Sequence, residues 1–154
     1  MKLFLWIVLA TIPTGLMGIL FKDWFESLFS KPQWVGGMLL ITGLVLWLTQ
    51  WVNKEGRPLE QMKWIDSIII GIAQGIAIIP GISRAGSTIS TGLFLGLDRE
   101  LSGKFSFLLS IPAIFGATLL EFRKINVGQE LWATLIGTAI AFGVGILSLT
   151  FLMK

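Results

Sequence analysis

The fold of this chain is decided by residues 67–97, which read SIIIGIAQGIAIIPGISRAGSTISTGLFLGL. The apolar segment Ser67–Ile79 is shorter than the roughly 20 residues that a helix needs to cross a bilayer. Pro80 and Gly81 stop this helix, and a second short helical segment runs from Ser87 to Leu97. The pattern predicts two half-length helices joined by a Pro-Gly turn.

Two arrangements fit such a pair of half-length helices. They form either one interrupted span or a re-entrant hairpin that returns to its own side of the membrane. The re-entrant arrangement gives the clearer excess of lysine and arginine on one face, as cytoplasmic loops show. We therefore expect a re-entrant helix-loop-helix hairpin over residues 67–97 with its mouth on the cytoplasmic side.

The composition around this hairpin is that of an integral membrane protein. Of 154 residues, 54% are hydrophobic and 14% are charged, and the mean hydropathy is +0.81. A soluble domain carries about 25% charged residues. We predict an all-α fold, a single membrane domain over residues 1–154, in which four full transmembrane helices accompany the hairpin: Leu3–Phe21, Trp34–Val52, Phe105–Phe122 and Leu131–Met153.

The segments outside these spans have distinct patterns. The first apolar run also fits a secretory signal peptide, but it continues to Phe21 without a small-x-small cleavage pattern, which favours a span. Lys22–Gln33 is predicted to be an amphipathic interfacial segment, and Asn53–Asp66 the main aqueous loop. A charged cluster before the third span is expected to be a solvated loop: Asp98, Arg99, Glu100 and Lys104.

Missing residue types exclude much chemistry. The chain contains no cysteine and no histidine, so it supplies no disulfide, thiolate zinc site, cysteine nucleophile or histidine base. Its net charge is +3, but the basic residues are spread over short loops rather than gathered on one face. We therefore expect no nucleic-acid partner.

Arg84 is the residue of the hairpin whose placement in the membrane costs the most free energy. Arginine keeps its charge, and placing it at bilayer depth costs from roughly 3 to more than 10 kcal/mol. An anion would offset this cost. The alternative is that Arg84 reaches lipid headgroups or helix-end carbonyls while nearby hydroxyls satisfy broken backbone bonds.

The residues around Arg84 suit a phosphate. If the second half-helix begins near Ser83, that residue caps it and the first backbone N–H groups point into the turn, where anions bind. Gly81 and Gly86 allow close approach to the backbone. Ser83, Ser87 and Thr88 add hydroxyls to the planar guanidinium fork, and Thr88 lies one helical turn from Arg84. Gln74 either faces the same cavity or makes a helix–helix hydrogen bond.

Two longer sequence motifs resemble those of a known family. Residues 71–89, GIAQGIAIIPGISRAGSTI, and 105–113, FSFLLSIPA, closely resemble bacterial undecaprenyl-diphosphate phosphatase, the BacA-type bacitracin-resistance family. Residues 10–15 and 92–100 fit the same family. The resemblance implies a multi-pass protein of the cell inner (plasma) membrane with an inverted-repeat fold. It also implies removal of the terminal phosphate of undecaprenyl diphosphate, which recycles the lipid carrier of cell-wall synthesis.

The resemblance also implies roles for individual residues. Ser83, Arg84 and Thr88 would be the catalytic residues that hold the diphosphate, while Gly81, Gly86, Ser87 and Gln74 bind substrate around them. Ala85 departs from the family pattern, which usually has a second serine there. Magnesium or calcium is implied as cofactor by resemblance alone, because the sequence shows no carboxylate cluster and hence no metal ligands of its own.

The chain resembles only part of the family. The family's N-terminal hairpin, which carries an acidic motif and a Ser-Ser-Thr-Gly-His motif, has no counterpart in this sequence. The family's last helix also has no counterpart. Three interpretations follow: a phosphatase, a binder or transporter of lipid phosphate, or an inactive truncated fragment. In the first, the missing half comes from a longer gene product, a neighbouring fragment, a homodimer or a partner chain. The expected partners are a polyprenyl diphosphate and membrane lipids.

Overall fold

A computed structural model describes residues 2–52, 55–122 and 131–152, and these residues are helical apart from short loops. Two compact units are present, residues 1–116 and 117–154, and the hairpin lies in the first. The predicted all-α fold class is confirmed. Seven α-helices follow one another along the described residues: α1 Lys2–Leu20, α2 Lys22–Phe29, α3 Pro32–Leu48, α4 Trp64–Ile76, α5 Arg84–Phe94, α6 Arg99–Phe122 and α7 Leu131–Leu152.

Three of these helical segments are long and apolar enough to cross a membrane. They are α1 (Lys2–Leu20), the segment Pro32–Trp51 formed by α3 and the 3-10 turn that follows it, and Arg99–Leu120 of α6. The helix α7, predicted as the fourth span, contains the apolar stretch Trp132–Ser148, which is shorter than the other three. Length and composition therefore identify a membrane protein with three candidate spans among its described residues.

The two half-length helices α4 and α5 both begin three residues earlier than predicted. Local capping explains the shift, because Asp66 accepts a hydrogen bond from the backbone N–H of Lys63 at 2.8 Å and Ser83 caps α5. Gly96 follows α5 with a φ of +79°, a left-handed conformation that commonly ends a helix. The predicted break at Pro80-Gly81 is confirmed.

Arg57 connects the two outer ends of the α4–α5 hairpin. Its guanidinium lies 3.2 Å from Asp66 at the start of α4 and donates to the carbonyl of Leu95 at 2.8 Å, just past the end of α5. Its backbone N–H donates to the carbonyl of Gly96 at 2.7 Å. The beginning and the end of the hairpin are therefore neighbours, tied together by one side chain.

We expect Asp66→Asn to destabilise the protein by about 1.5–3 kcal/mol, the range for hydrogen bonds to charged groups. The side chain of Asp66 is only 5% exposed, and an amide would turn a donor toward Arg57. Glu60→Gln, an exposed acid of the same loop, is the control and should stay within about 0.5 kcal/mol. Thermal unfolding in detergent micelles checks both, and equal losses would contradict the bridging role.

Three residues of the charged cluster before the third predicted span lie in α6 and not in a loop, although they are exposed as expected: Arg99, Glu100 and Lys104. Asp98 accepts a hydrogen bond from the backbone N–H of Leu101 at 2.7 Å and so caps α6, which begins at Arg99. Glu100 lies in the first turn, where a negative charge suits the helix dipole, and forms an ion pair with Lys104. Charged residues here start the helix instead of separating two helices.

Close packing of α1 against α4 supports the hairpin from one side. A Cβ at Gly71 would collide with the carbonyl oxygen of Ala10, so only glycine allows this approach. The hydroxyl of Thr14 donates to the carbonyl of Gly71 at 2.8 Å. The buried core joins α1, α4 and α6 with the loop residues beside them: Ala10, Met62, Ile70, Leu97, Leu101, Phe105 and Leu109.

Candidate anion-binding site at the hairpin turn

The start of α5 provides backbone donors at the hairpin turn. Ser83 is the N-cap with extended backbone, and its Oγ accepts a hydrogen bond from the N–H of Gly86 at 3.1 Å. The predicted cap is thereby confirmed. Helix geometry leaves the N–H groups of Arg84 and Ala85 without acceptors inside the helix, and such groups favour an anion.

The turn itself is fixed by Thr42 of α3. Thr42 Oγ1 donates to the carbonyl of Gly81 at 3.2 Å and accepts from the N–H of Ser83 at 3.2 Å. Gly81 has a φ of +93°, in the region that favours glycine. Sequence reasoning missed Thr42, although a hydroxyl in the middle of an apolar span was a usable signal.

Arg84 is half-buried and has little compensation from the protein. Its Nη1 donates to the carbonyl of Ser110 at 3.4 Å, longer than the 2.7–3.2 Å of a normal N–H···O bond. The ion pairs found among the described residues belong to other cations, namely Lys22, Arg57 and Lys104. A guanidinium with five N–H donors therefore has most of its bonding capacity available for an anion.

Two hydroxyls beside Arg84 also have bonding capacity to spare. Ser83 is exposed and its oxygen acts as acceptor for the cap, which leaves its proton free to donate. The hydroxyl of Ser87, half-buried, makes no side-chain hydrogen bond within the described part of the chain. Together with Arg84 they surround the first turn of α5 with donors.

Thr88 lies on the same face of α5 as Arg84, but its hydroxyl bonds within the protein. The residue is 1% exposed. Its Oγ1 donates to the carbonyl of Arg84 at 2.9 Å and lies 2.6 Å from the Oγ of Ser106 on α6. This geometry differs from that of a side chain directed at a ligand.

The pairing of Thr88 with Ser106 belongs to a regular series between α5 and α6. Arg84, Thr88 and Gly92 recur every fourth residue, and each meets a serine of the antiparallel α6. Gly92 fits because a Cβ there would come within 2.7 Å of a serine Oγ. Sequence reasoning missed these serines, although their spacing of four residues was visible: Ser102, Ser106 and Ser110.

Gln74 and Gly86 have roles within the helices. Gln74 is 2% exposed, and its Nε2 lies 3.4 Å from the hydroxyl of Thr14 on α1, which favours the helix–helix alternative. A Cβ at Gly86 would lie 3.0 Å from the Oγ of Ser83. Glycine at this position therefore leaves room for the cap.

Comparison with known proteins identifies the family. A family model described as "Bacitracin resistance protein BacA" matches residues 1–154. The chain belongs to the BacA family. This BacA-family chain is 48% identical over 153 residues to a protein named undecaprenyl-diphosphatase from Methanothermobacter thermautotrophicus, with 96% of the chain and 84% of the relative covered.

Longer relatives carry the same name. The chain is 51% identical over 124 residues to an undecaprenyl-diphosphatase from Alkaliphilus metalliredigens and 44% identical over 151 residues to one from Halothermothrix orenii. These matches cover 80% and 96% of the BacA-family chain, but 45% and 58% of the relatives. The chain thus spans about half the length of these two proteins.

Proposed function

We propose that this BacA-family chain acts in the hydrolysis of undecaprenyl diphosphate to undecaprenyl phosphate. The observation that supports this most strongly is Arg84, a half-buried cation at a helix start whose side chain bonds, within the described part of the chain, through one long contact with Ser110. A diphosphate offers several anionic oxygens to such a fork. Relatives named undecaprenyl-diphosphatase specify the lipid that carries it.

The proposed reaction breaks the bond between the terminal phosphorus and the bridging oxygen. A water oxygen bonds to the terminal phosphorus, the bridging oxygen leaves with the electron pair of the broken bond, and the water gives up one proton. The products are inorganic phosphate and undecaprenyl phosphate. Arg84 and the first N–H groups of α5 stabilise negative charge on the transferred phosphoryl group and the leaving oxygen. Ser83 and Ser87 hold non-bridging oxygens in place. These groups bind and orient the diphosphate.

Magnesium or calcium would not be held by a protein cage at this turn. Among the described residues there is no group of three or more His, Cys, Asp or Glu side chains, whereas both ions prefer carboxylate and carbonyl oxygens. The donors around Arg84 are hydroxyl, amide and guanidinium groups. A divalent cation at this site would depend on the phosphate oxygens of the lipid.

We also propose the topology of a multi-pass protein of the plasma membrane. The chain would have four full spans and a re-entrant α4–α5 hairpin within an inverted-repeat fold. Arg57 supports the re-entrant arrangement, because it bonds at once to Asp66 at the start of α4 and Leu95 after the end of α5. If α4 and α5 instead formed one interrupted span across the membrane, these two ends would be separated by the thickness of the bilayer.

Phosphate release from undecaprenyl diphosphate in proteoliposomes tests the proposed activity. One arm contains the chain alone. The second adds in trans the part of the Halothermothrix orenii relative that the chain does not cover, because the chain has no histidine to accept a proton from water. Release in either arm supports hydrolysis. Binding of the lipid without release in both arms would overturn it and leave a lipid-phosphate binding protein.

We expect Ser87→Ala to raise the KM for undecaprenyl diphosphate by about threefold to tenfold, since one hydrogen bond contributes about 0.5–1.5 kcal/mol. Ser90→Ala is the matched control on the same helix. The Ser90 hydroxyl is buried and has no partner among the described residues, so its loss should leave KM unchanged. Steady-state phosphate release measures both variants, and equal KM values would remove Ser87 from the site.

A further inference from the structure

We propose that Ser106 is a positioning residue for Arg84, acting through the hydroxyl of Thr88. This inference rests on the proposed function, because it assigns a role within the same diphosphate site. Ser106 lies on α6, is 5% exposed and touches α5 through Thr88. It therefore contacts the same face of α5 that carries the Arg84 side chain.

The direction of the hydrogen bonds follows from the number of protons. Thr88 Oγ1 lies 2.9 Å from the carbonyl oxygen of Arg84, and a carbonyl only accepts. The same oxygen lies 3.3 Å from the carbonyl oxygen of Ala85, so the single proton of Thr88 is directed at backbone carbonyls of α5. The 2.6 Å contact between the two hydroxyls allows either oxygen to donate, and with the Thr88 proton on a carbonyl the donor is Ser106. The chain of bonds runs from Ser106 to Thr88 to the Arg84 backbone.

Helix α6 thus contacts Arg84 at both ends of the residue. The backbone carbonyl is held through Thr88 and Ser106, and the guanidinium donates to the carbonyl of Ser110 one helical turn further along α6. The hydrogen bond to the Arg84 carbonyl is 2.9 Å long, whereas the guanidinium bond to Ser110 is 3.4 Å long. This arrangement keeps the base of the side chain fixed and leaves its charged end able to exchange a carbonyl for a phosphate oxygen.

The same geometry changes the role of Thr88. Its proton and its contact with Ser106 are used within the protein, and the residue is 1% exposed. Direct binding of phosphate by this hydroxyl would require breaking both bonds. Thr88 is therefore a positioning residue as well, and Ser83 and Ser87 are the hydroxyls that meet the lipid diphosphate.

Ser106→Ala and the control Ser102→Ala test the inference. Ser102 lies one turn away on the same helix and is equally buried, but its hydroxyl donates to the carbonyl of Asp98 at 2.8 Å. We expect Ser106→Ala to lower kcat on the order of tenfold, the equivalent of one lost hydrogen bond. KM should change little. Ser102→Ala should keep kcat, and equal kcat losses in both would overturn the inference.

A double-mutant cycle with Thr88→Val extends this test. If Ser106 acts through Thr88, Thr88→Val/Ser106→Ala should be no slower than Thr88→Val alone, and Thr88→Ser, which keeps the hydroxyl, should restore the rate. Additive losses would show that Ser106 acts by another route and would overturn the inference.

A second measurement does not depend on hydrolysis. Phenylglyoxal modifies arginine, and mass spectrometry of peptides reports its rate at Arg84. Ser106→Ala should raise that rate severalfold and Ser102→Ala should leave it unchanged; unchanged rates in both would overturn the inference. If no arm of the hydrolysis assay releases phosphate, the proposed function fails, and the modification rates still decide whether Ser106 positions Arg84.

Discussion

Replacing Arg84 with lysine is expected to lower kcat for phosphate release from undecaprenyl diphosphate by about 10²–10³-fold, the loss seen when one preorganised donor is removed from a developing charge. Lysine keeps the positive charge but lacks the planar fork that binds two phosphate oxygens. The shape of the donor set, and not charge alone, would then account for the loss. Arg84→Ala should lose at least as much, because it removes the charge as well.

The matched control is Arg99→Lys. Arg99 is exposed in the first turn of α6 and donates to the carbonyl of Thr49 at 3.2 Å, away from the hairpin turn. We expect it to keep kcat within about twofold, because surface substitutions away from a site usually change stability by no more than about 0.5 kcal/mol. Arg84→Lys with wild-type kcat would contradict the proposed site. A loss of thermal stability confined to Arg84→Lys would assign that residue a structural role instead.

The sequence predicted the local parts of the site well, because those parts depend on neighbouring residues. The helix break at Pro80-Gly81 follows from the missing proline N–H and the freedom of glycine, and the cap at Ser83 from its side-chain oxygen. The anion that the charge of Arg84 indicates stays a prediction. Each of these inferences needs only residues within one or two helical turns.

The parts that the sequence did not predict are pairings between distant segments. Thr42 lies 39 residues from its partner Gly81, and Ser106 lies 18 residues from its partner Thr88, and no local pattern connects them. The regular spacing of serines on α6 showed a polar stripe, but it did not show what the stripe faced. Which helix packs against which is decided by tertiary contacts.

The pairings of charged residues were also not predicted from the sequence. Arg57 stands in a polar loop and resembles a solvated cation, yet it is bound to Asp66 and to two carbonyls. Asp98 lies in the expected loop, and from there it caps α6. In both cases the charge has a hydrogen-bonding task at the end of a helix. A polar stretch between two apolar runs is therefore compatible with a structured junction.

Gly81→Ala is expected to cause the largest loss of stability among the glycine variants of the hairpin. Its φ of +93° makes a residue with a Cβ unfavourable at this position by about 1–2 kcal/mol. A Cβ there would also collide with the carbonyl oxygen of Val35 on α3, which adds a further ~1–3 kcal/mol for overpacking. Thermal unfolding in detergent micelles measures the sum.

Gly96→Ala separates the two contributions to that loss. Gly96 also has a positive φ, +79°, but the nearest atom to an added Cβ is 4.0 Å away on Arg57. It should therefore lose only the backbone term of about 1–2 kcal/mol and retain phosphate release. Because α3 holds the turn through Thr42, Gly81→Ala should also displace the start of α5 and lower kcat. If both variants lose the same stability, the close approach of α3 contributes nothing, and the position of Arg84 does not depend on that helix.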